Sequence, residues 1–144
     1  MALVFTKQEG AVLKAGDGGG TEVFTAIAGV ISFNWSAATR TVIDTTDLDS
    51  ADNAREFKGG IVDYGEMSFD IHYDPNNGTH DETTGIWSYF SDTAPRNFQY
   101  VFPNADTTTL EFSAITQSMS VTGSLDDKIT ASVVLKLTGM PTIG

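Results

Sequence analysis

The side chains that could bind a metal or act in catalysis are few and lie close together. The chain has two histidines, His72 and His80, and the Asp- and Asn-rich stretch YDPNNGTHDE follows the first of them. Such oxygen ligands suit Ca²⁺, and an EF-hand loop requires Gly at its sixth position and Glu at its twelfth. Counted from Asp74, Gly78 is fifth and Gly85 is twelfth, so the pattern fails. We predict a polar loop that ends a strand and caps a helix.

Other patterns that support catalysis are missing from the sequence. The stretch GDGGGT has neither the Lys of a phosphate-binding loop nor Rossmann spacing, and no Ser lies in a nucleophile-elbow motif. The absence of cysteine excludes a thiol nucleophile and thiolate metal sites. The DLD triplet at 47–49 lies in a charged segment and is expected to be solvated. Both histidines are expected to be surface groups, since a metal or acid–base role needs partners nearby. The sequence predicts neither an enzyme nor a cofactor.

Composition indicates one acidic, folded domain over residues 1–144. The chain is 40% hydrophobic and 19% charged, and its formal net charge is -11. Because nucleic-acid binders neutralise phosphates with Lys and Arg, eight basic residues against nineteen acids argue against tight DNA binding. The N-terminus lacks the features of a signal peptide, and no apolar run is long enough to span a membrane. We expect the protein to be made in a cytoplasm and not to associate with a membrane.

The elements that must position any functional surface are mainly strands. Between Glu66 and Tyr73, apolar and polar residues alternate, which is the period of a sheet with one buried face. The side chains of Met67, Phe69 and Ile71 are predicted to face the core. Several further segments separated by turn residues predict a two-sheet β-sandwich or partial barrel. These segments are TEVFTAIAGVISFNW, IVDYGEMSFDIHY, NFQYVFP, TTLEFSAIT, QSMSVTGS and DKITASVVLKLTG.

One short α-helix is predicted over 79–91, beside the sheet. Thr79 suits the N-cap, and Glu82 three residues later completes a capping box. Ile86, Tyr89 and Phe90 follow at helical spacing and are expected to pack on the sheet.

The segment TRTVIDTTDLDSADNAREFKGG, residues 39–60, has neither a helical nor a strand period. We predict a long loop between two strands. Connections longer than about 12–15 residues are uncommon inside compact domains and usually have a function.

A fixed order of segments runs through the sequence. A strand ending in MSFDIHYDP precedes the helix TTGIWSYF, FPN follows the next strand, and TGMP ends the last long strand. FTAIAGV and TRTVIDTTDLDS…EFKGG precede them. In this order and spacing, over roughly residues 20–142, the sequence resembles the tail tube proteins of long-tailed bacteriophages, the group that includes the tube protein of phage lambda. The resemblance implies a tail-tube fold, which is shared with the inner tubes of contractile tails, pyocins and type VI secretion. No immunoglobulin-like domain is expected after Gly144.

The resemblance also implies a function and partners. Such proteins form homo-hexameric rings that stack into a hollow tube around a tape-measure protein. The tube meets tail-end and tail-tip proteins and later conducts DNA without binding it specifically. The implied location is the virion tail, assembled in the cytoplasm of a bacterial host, and a lambda-like tail is non-contractile. Open sheet edges suit this role, because identical subunits can pair their unsatisfied backbone groups.

Two surfaces are expected to serve this assembly. Glu66 and Asp70 are predicted to face the lumen, where acids repel phosphate; the alternative is the outer surface. The 39–60 loop is predicted to project from one rim of the ring and to contact the next ring. The alternative is a solvated hairpin arm without a partner. The predicted contact residues of the loop are Arg40, Ile43, Asp44, Asp47, Leu48, Arg55, Phe57 and Lys58.

Two other functions remain open on sequence. A β-sandwich that binds carbohydrate or protein is one, although only Trp35 and Trp87 are tryptophans that could form such a surface. A tube component of a related secretion or contractile system is the other.

Overall fold

The computed structural model describes residues 10–18, 20–104 and 106–144. Strands dominate this part of the chain, which confirms the mainly β fold with two sheets. No helix in the described ranges is long and apolar enough to cross a membrane. The strands are β1 (Val12–Gly16), β2 (Phe24–Ala26), β3 (Val30–Trp35), β4 (Thr39–Asp44), β5 (Phe57–Asp63), β6 (Glu66–His72), β7 (Arg96–Val101), β8 (Thr109–Thr122), β9 (Thr130–Leu137) and β10 (Thr142–Ile143).

The larger sheet is antiparallel and has the strand order β2-β1-β7-β8-β9-β6-β3, with β10 beside β8. It does not close into a barrel. One face carries the core, because alternate residues of each strand are apolar and buried. On β6 the alternation is as predicted: Met67, Phe69 and Ile71 are buried, while the intervening residues are not. The other fully buried large side chains include Leu13, Phe98, Val133 and Leu135.

Two glycines divide segments that the sequence analysis treated as single strands. The stretch from Thr21 to Trp35 forms β2 and β3, and Gly29 turns between them with a φ of +75°. The stretch from Ile61 to Tyr73 is divided by Gly65, whose φ is +83°. A Cβ at Gly65 would lie 2.8 Å from the carbonyl oxygen of Ala37. Only glycine suits such a left-handed, crowded position.

The predicted long loop at 39–60 is instead mostly a β-hairpin. Strands β4 and β5 pair with each other as a separate two-stranded sheet. A bulge interrupts their register between Arg40 and Val42. This bulge and the Gly59–Gly60 pair obscure the alternation in the sequence, since a bulge shifts the following residues to the other face. We call residues 39–63 the arm, strands β4 and β5 its stalk, and residues 45–56 its tip.

The predicted α-helix at 79–91 is a 3-10 helix that covers only Ile86–Ser91. Its N-cap residue is Gly85, so the capping box at Thr79 and Glu82 does not form. The Asp81 carboxylate instead accepts the backbone N–H groups of Thr83, Thr84 and Gly85. These bonds hold residues 81–85 in a turn, in agreement with the tendency of Asp side chains to compete with helical hydrogen bonding.

Candidate assembly interface

The arm is exposed along most of its length. All six residues of β4 are exposed, and in the described chain β4 and β5 pack mainly against each other. Exposed apolar side chains include the predicted Ile43, Leu48 and Phe57, and also Val42 and Ile61, which the sequence analysis missed. An isolated two-stranded hairpin is marginally stable in water. A contact with another chain would bury these side chains and stabilise the arm.

The predicted contact residues of the stalk lie close together on adjacent strands. Ile43 is directly opposite Lys58, and Asp44 is opposite Phe57. The Arg40 side chain extends over Gly59, where a Cβ would lie 2.9 Å from its Nη1. Neither Arg40 nor Lys58 has an ion pair to any residue that the structure describes.

The charged residues at and next to the tip are used largely within the arm. Asp44 lies 3.8 Å from Arg55 and accepts the backbone N–H of Thr46. Hydrogen bonding by Thr46 lowers the pKa of Asp44 below its ordinary value. Asp47 Oδ1 accepts the backbone N–H of Asp49. Asp44, Asp47 and Arg55 therefore shape the arm, whether or not they also contact a partner.

The base of the arm is fixed to the larger sheet. Trp35 Nε1 donates a 2.7 Å hydrogen bond to the carbonyl of Tyr64, and the Ser36 N–H donates to the carbonyl of Glu66. Lys136 Nζ on β9 donates to both carboxylate oxygens of Asp63, at 2.9 and 3.0 Å. The arm therefore leaves the sheet in a defined direction.

Among the residues that the structure describes, the larger sheet has an edge strand on either side of one four-stranded part. The order of this part is β3-β6-β9-β8, where β8 contributes residues 115–122. In the described chain, β3 pairs only with β6, and residues 115–122 pair only with β9, since β7 reaches no further than Ala114. Edge strands of this kind can accept a strand from another chain.

Glu66 and Asp70 both lie on the face of this four-stranded part that points away from the core. Glu66 is directly opposite Lys136 on β9. Asp70 Oδ1 accepts a 2.6 Å hydrogen bond from Ser132 Oγ, and Asp70 Oδ2 accepts one from Ser32 Oγ. Both acids thus have polar neighbours on adjacent strands. Neutral hydroxyls and amides occupy much of the rest of this face: Ser32, Asn34, Ser68, Ser118, Ser120, Thr122, Thr130 and Ser132.

The 3-10 helix packs on the core face with two of its three predicted residues. Ile86 is fully buried, and Tyr89 packs edge-on against Phe98. Phe90 is 41% exposed and contacts Trp87 instead, so its predicted place on the sheet is wrong. With three residues per turn, Ile86 and Tyr89 share a face, and Phe90 is rotated away.

His80 is buried, whereas a surface position was expected; His72 is exposed. His80 Nδ1 accepts the Asp74 N–H at 3.1 Å, so Nε2, 2.6 Å from the Ala28 carbonyl, is the donor. The ring joins the segment after β6 to the turn between β2 and β3. The side chains of the described residues form no group of three or more that could hold a metal ion.

Comparison with known proteins identifies the family. Residues 17–144 match the sequence family described as "Lambda phage tail tube protein, TTP". The chain belongs to this family. It is a structural protein of the phage tail tube and not an enzyme, and its place is the virion tail. None of the curated protein sequences matches it.

Solved structures share the tail-tube fold at low sequence identity. The tail of an empty gene transfer agent particle, refined with C6 symmetry, is 20% identical with a TM-score of 0.73, covering 97% of this chain and 99% of that one. The sheath/tube terminator of an extracellular contractile injection system is 10% identical with a TM-score of 0.68, covering 99% of both. The SPP1 tail tube is 12% identical with a TM-score of 0.55, covering 92% and 74%.

Proposed function

We propose that six copies of this tail tube protein form a ring in which β3 of each copy pairs with residues 115–122 of β8 in the next. The pair of open edges carries this proposal. Neighbouring strands from β3 to β8 alternate in direction, so the β8 edge of one copy and the β3 edge of the next run antiparallel. Rotation about one axis then extends a single antiparallel sheet around the ring.

The number six comes from the C6 symmetry of the similar gene transfer agent tail. Four strands from each of six copies would form a 24-stranded wall. At about 4.8 Å between strands, its circumference is roughly 115 Å and its diameter about 37 Å between backbones, more if the strands tilt. The space left by inward side chains would admit several α-helices, each about 10–12 Å across.

The polar face of the four-stranded part is proposed to line this lumen. The opposite face carries the apolar core and packs against the 3-10 helix, so it suits the outside of the wall. Glu66 and Asp70 would then point into the lumen among hydroxyl groups. Such a surface offers few cations to phosphate, so DNA would pass without specific binding, after a tape-measure protein has occupied the space during assembly. Tail-end and tail-tip proteins would meet the two ends of the tube.

The arm is proposed to join successive rings. Its contact residues would be Ile43, Leu48, Phe57, Arg40 and Lys58, with Asp44, Asp47 and Arg55 fixing its shape. Burial of the exposed apolar side chains against the next ring would supply the driving force. The arm is fixed at its base and solvent-exposed along most of its length, so it is well suited to this contact.

The ring proposal can be tested by placing a charge on each open edge. Ile31 on β3 and Val121 on β8 are 47% and 44% exposed, so Ile31→Lys and Val121→Lys should leave the monomer folded. A lysine on an edge strand opposes strand addition. Electron microscopy and mass measurement in solution should show rings and tubes for the wild-type protein and monomers for both variants.

Met140→Lys is the matched control, because Met140 is 75% exposed and lies outside both edges. It should assemble like the wild-type protein. Normal rings from Ile31→Lys and Val121→Lys would contradict the edge-pairing proposal.

A further inference from the structure

The arm and an aromatic cleft lie at opposite ends of strand β6. The arm joins the larger sheet just before Glu66, where β6 begins, and the cleft starts at Tyr73, one residue beyond its end. Seven residues of strand at about 3.3 Å each separate the two sites by roughly 23 Å. If subunits stack along the direction of this strand, the arm of one copy points toward the cleft of the next.

The cleft has a rigid aromatic wall. It has a volume of about 590 Å³ and is lined by Tyr73, Pro75, Asp81, Glu82, Thr83 and Trp87. Trp87 Nε1 donates a 2.8 Å hydrogen bond to the Tyr73 hydroxyl, and the Tyr73 ring stacks on the buried His80 at 5.9 Å. These contacts fix two ring systems that can accept a cation or an apolar side chain.

The rim of the cleft is negatively charged. Hydrogen bonds from the backbone of residues 83–85 hold the Asp81 carboxylate in place, chiefly that of Thr84, and they lower its pKa. Asp81 is therefore ionised at neutral pH. Glu82 is exposed and forms no hydrogen bond or ion pair with the residues that the structure describes. The cleft presents two carboxylates beside aromatic surface.

The stalk of the arm carries the complementary groups. Arg40 and Lys58 are exposed and without an ion pair in the described ranges, and Lys58 is directly opposite the exposed Ile43. Four of the arm's six acids lie in the tip, where Glu56 accepts a hydrogen bond from the Ser50 hydroxyl. The two acids of the stalk, Asp44 and Asp63, already pair with Arg55 and Lys136. The stalk thus combines cations and apolar side chains, which match the carboxylates and rings of the cleft.

We propose that the stalk of the arm docks into the cleft of a second copy in the adjacent ring, with Arg40 and Lys58 facing Asp81 and Glu82. This inference rests on the proposed stacked tube and names the surface that receives the arm. The contact joins two different surfaces of identical chains. Such a head-to-tail contact repeats without closing when it acts along an axis, and it gives the tube its polarity.

A charge swap tests the docking. Lys58→Glu and Glu82→Lys should each raise the protein concentration needed for tube formation at least tenfold, and the rings should remain hexameric. The double variant Lys58→Glu/Glu82→Lys should recover most of the loss, because it restores one attractive pair. Lys58→Glu with Asp126→Lys is the matched control. It makes the same charge changes with an exposed acid outside the cleft, and it should not recover tube formation.

Cross-linking provides a second readout, because the native chain contains no cysteine. Strand β6, roughly 23 Å long, separates the arm from the cleft within one chain. A disulfide needs Cα atoms about 4.4–6.8 Å apart, so Lys58→Cys/Glu82→Cys should form none within one chain. Oxidation of assembled tubes should therefore give ladders of linked chains on a non-reducing gel. Either single variant should give none.

The outcomes separate this inference from the proposed function. If the wild-type protein forms tubes, but oxidised Lys58→Cys/Glu82→Cys tubes give no ladder and the charge swap gives no recovery, the docking is overturned and the tube proposal stands. A wild-type protein that forms neither rings nor tubes would overturn the proposed assembly itself.

Discussion

Lys136 Nζ on β9 lies 2.9 Å from Asp63 Oδ1 at the end of β5, and this ion pair ties the arm to the larger sheet. The hydrogen bond from Lys136 is the main cause of the lowered pKa of Asp63. Both side chains are partly exposed, so the pair contributes little to global stability. Its more important effect is to set the direction of the arm.

We therefore expect Lys136→Met to loosen the arm without unfolding the domain. The melting temperature should change little, whereas hydrogen exchange of the backbone amides in 39–63 should become faster. Tube formation should need more protein, because an arm with more freedom loses more entropy when it docks. Lys128→Met, which removes another exposed lysine, is the control. Unchanged exchange in Lys136→Met would show that the remaining contacts at the base suffice.

Asp81 makes the segment before the 3-10 helix sensitive to acid. Its pKa is lowered in the folded state, so the folded chain binds a proton less readily than the unfolded chain. Its stabilising effect is full above the ordinary value of 3.8 and is lost as the pH falls through the lowered folded value. Below about pH 4, the protection factors of the amides of residues 81–85, which correct for the intrinsic pH dependence of exchange, should fall.

Asp81→Asn should show much of that loss of protection already at pH 7, since a neutral amide accepts these N–H groups less strongly. It should also show less additional change on acidification. If Asp81→Asn and the wild-type protein lose protection in parallel between pH 5 and 3, another carboxylate is responsible.

His80 is a buried link between two loops, so its removal should be costly. His80→Ala would leave the Ala28 carbonyl and the Asp74 N–H without their present partner and would open a cavity. We expect a loss of about 2–4 kcal/mol in the free energy of unfolding, measured with urea. His72→Ala is the control: His72 is exposed, and its loss should change stability by less than about 0.5 kcal/mol. Equal effects of the two substitutions would contradict the role of His80.

The position of the polar face can be tested with DNA. In Glu66→Lys/Asp70→Lys, cations replace two acids on that face, so assembled tubes should retain short linear duplexes in a salt-dependent manner. Closed circular DNA cannot thread a tube, and it should not be retained. Asp126→Lys/Asp127→Lys makes the same charge change elsewhere and serves as the control. Retention of circular DNA by Glu66→Lys/Asp70→Lys tubes would place this face on the outside.

The strands whose alternation is uninterrupted could be predicted from sequence alone. Met67, Phe69 and Ile71 repeat at the period of a sheet, and the structure buries all three. The order of segments also carried the resemblance to tail tube proteins, and the family match confirms it. Such patterns depend on residues close together in the sequence, so they can be read without knowing which segments meet in the folded protein.

The 3-10 helix and the arm could not be predicted, because competing interactions decide them. The sequence positions of Thr79 and Glu82 fit a capping box, yet hydrogen bonds from backbone N–H groups to Asp81 hold the chain in a turn. The bulge in the arm breaks the period by which a strand is recognised. In both places, a few specific hydrogen bonds outweigh an intrinsic preference of fractions of a kcal/mol per residue.

The sequence by itself determined the mainly β class, the single buried face and the absence of catalytic motifs, since each depends on residue type and local period. Only the tertiary structure decided which strands have open edges, that His80 is buried, and that the arm and the aromatic cleft lie at opposite ends of β6. These features join residues far apart in the chain. They depend on strand order and register, which backbone hydrogen bonds fix only when the sheet has formed.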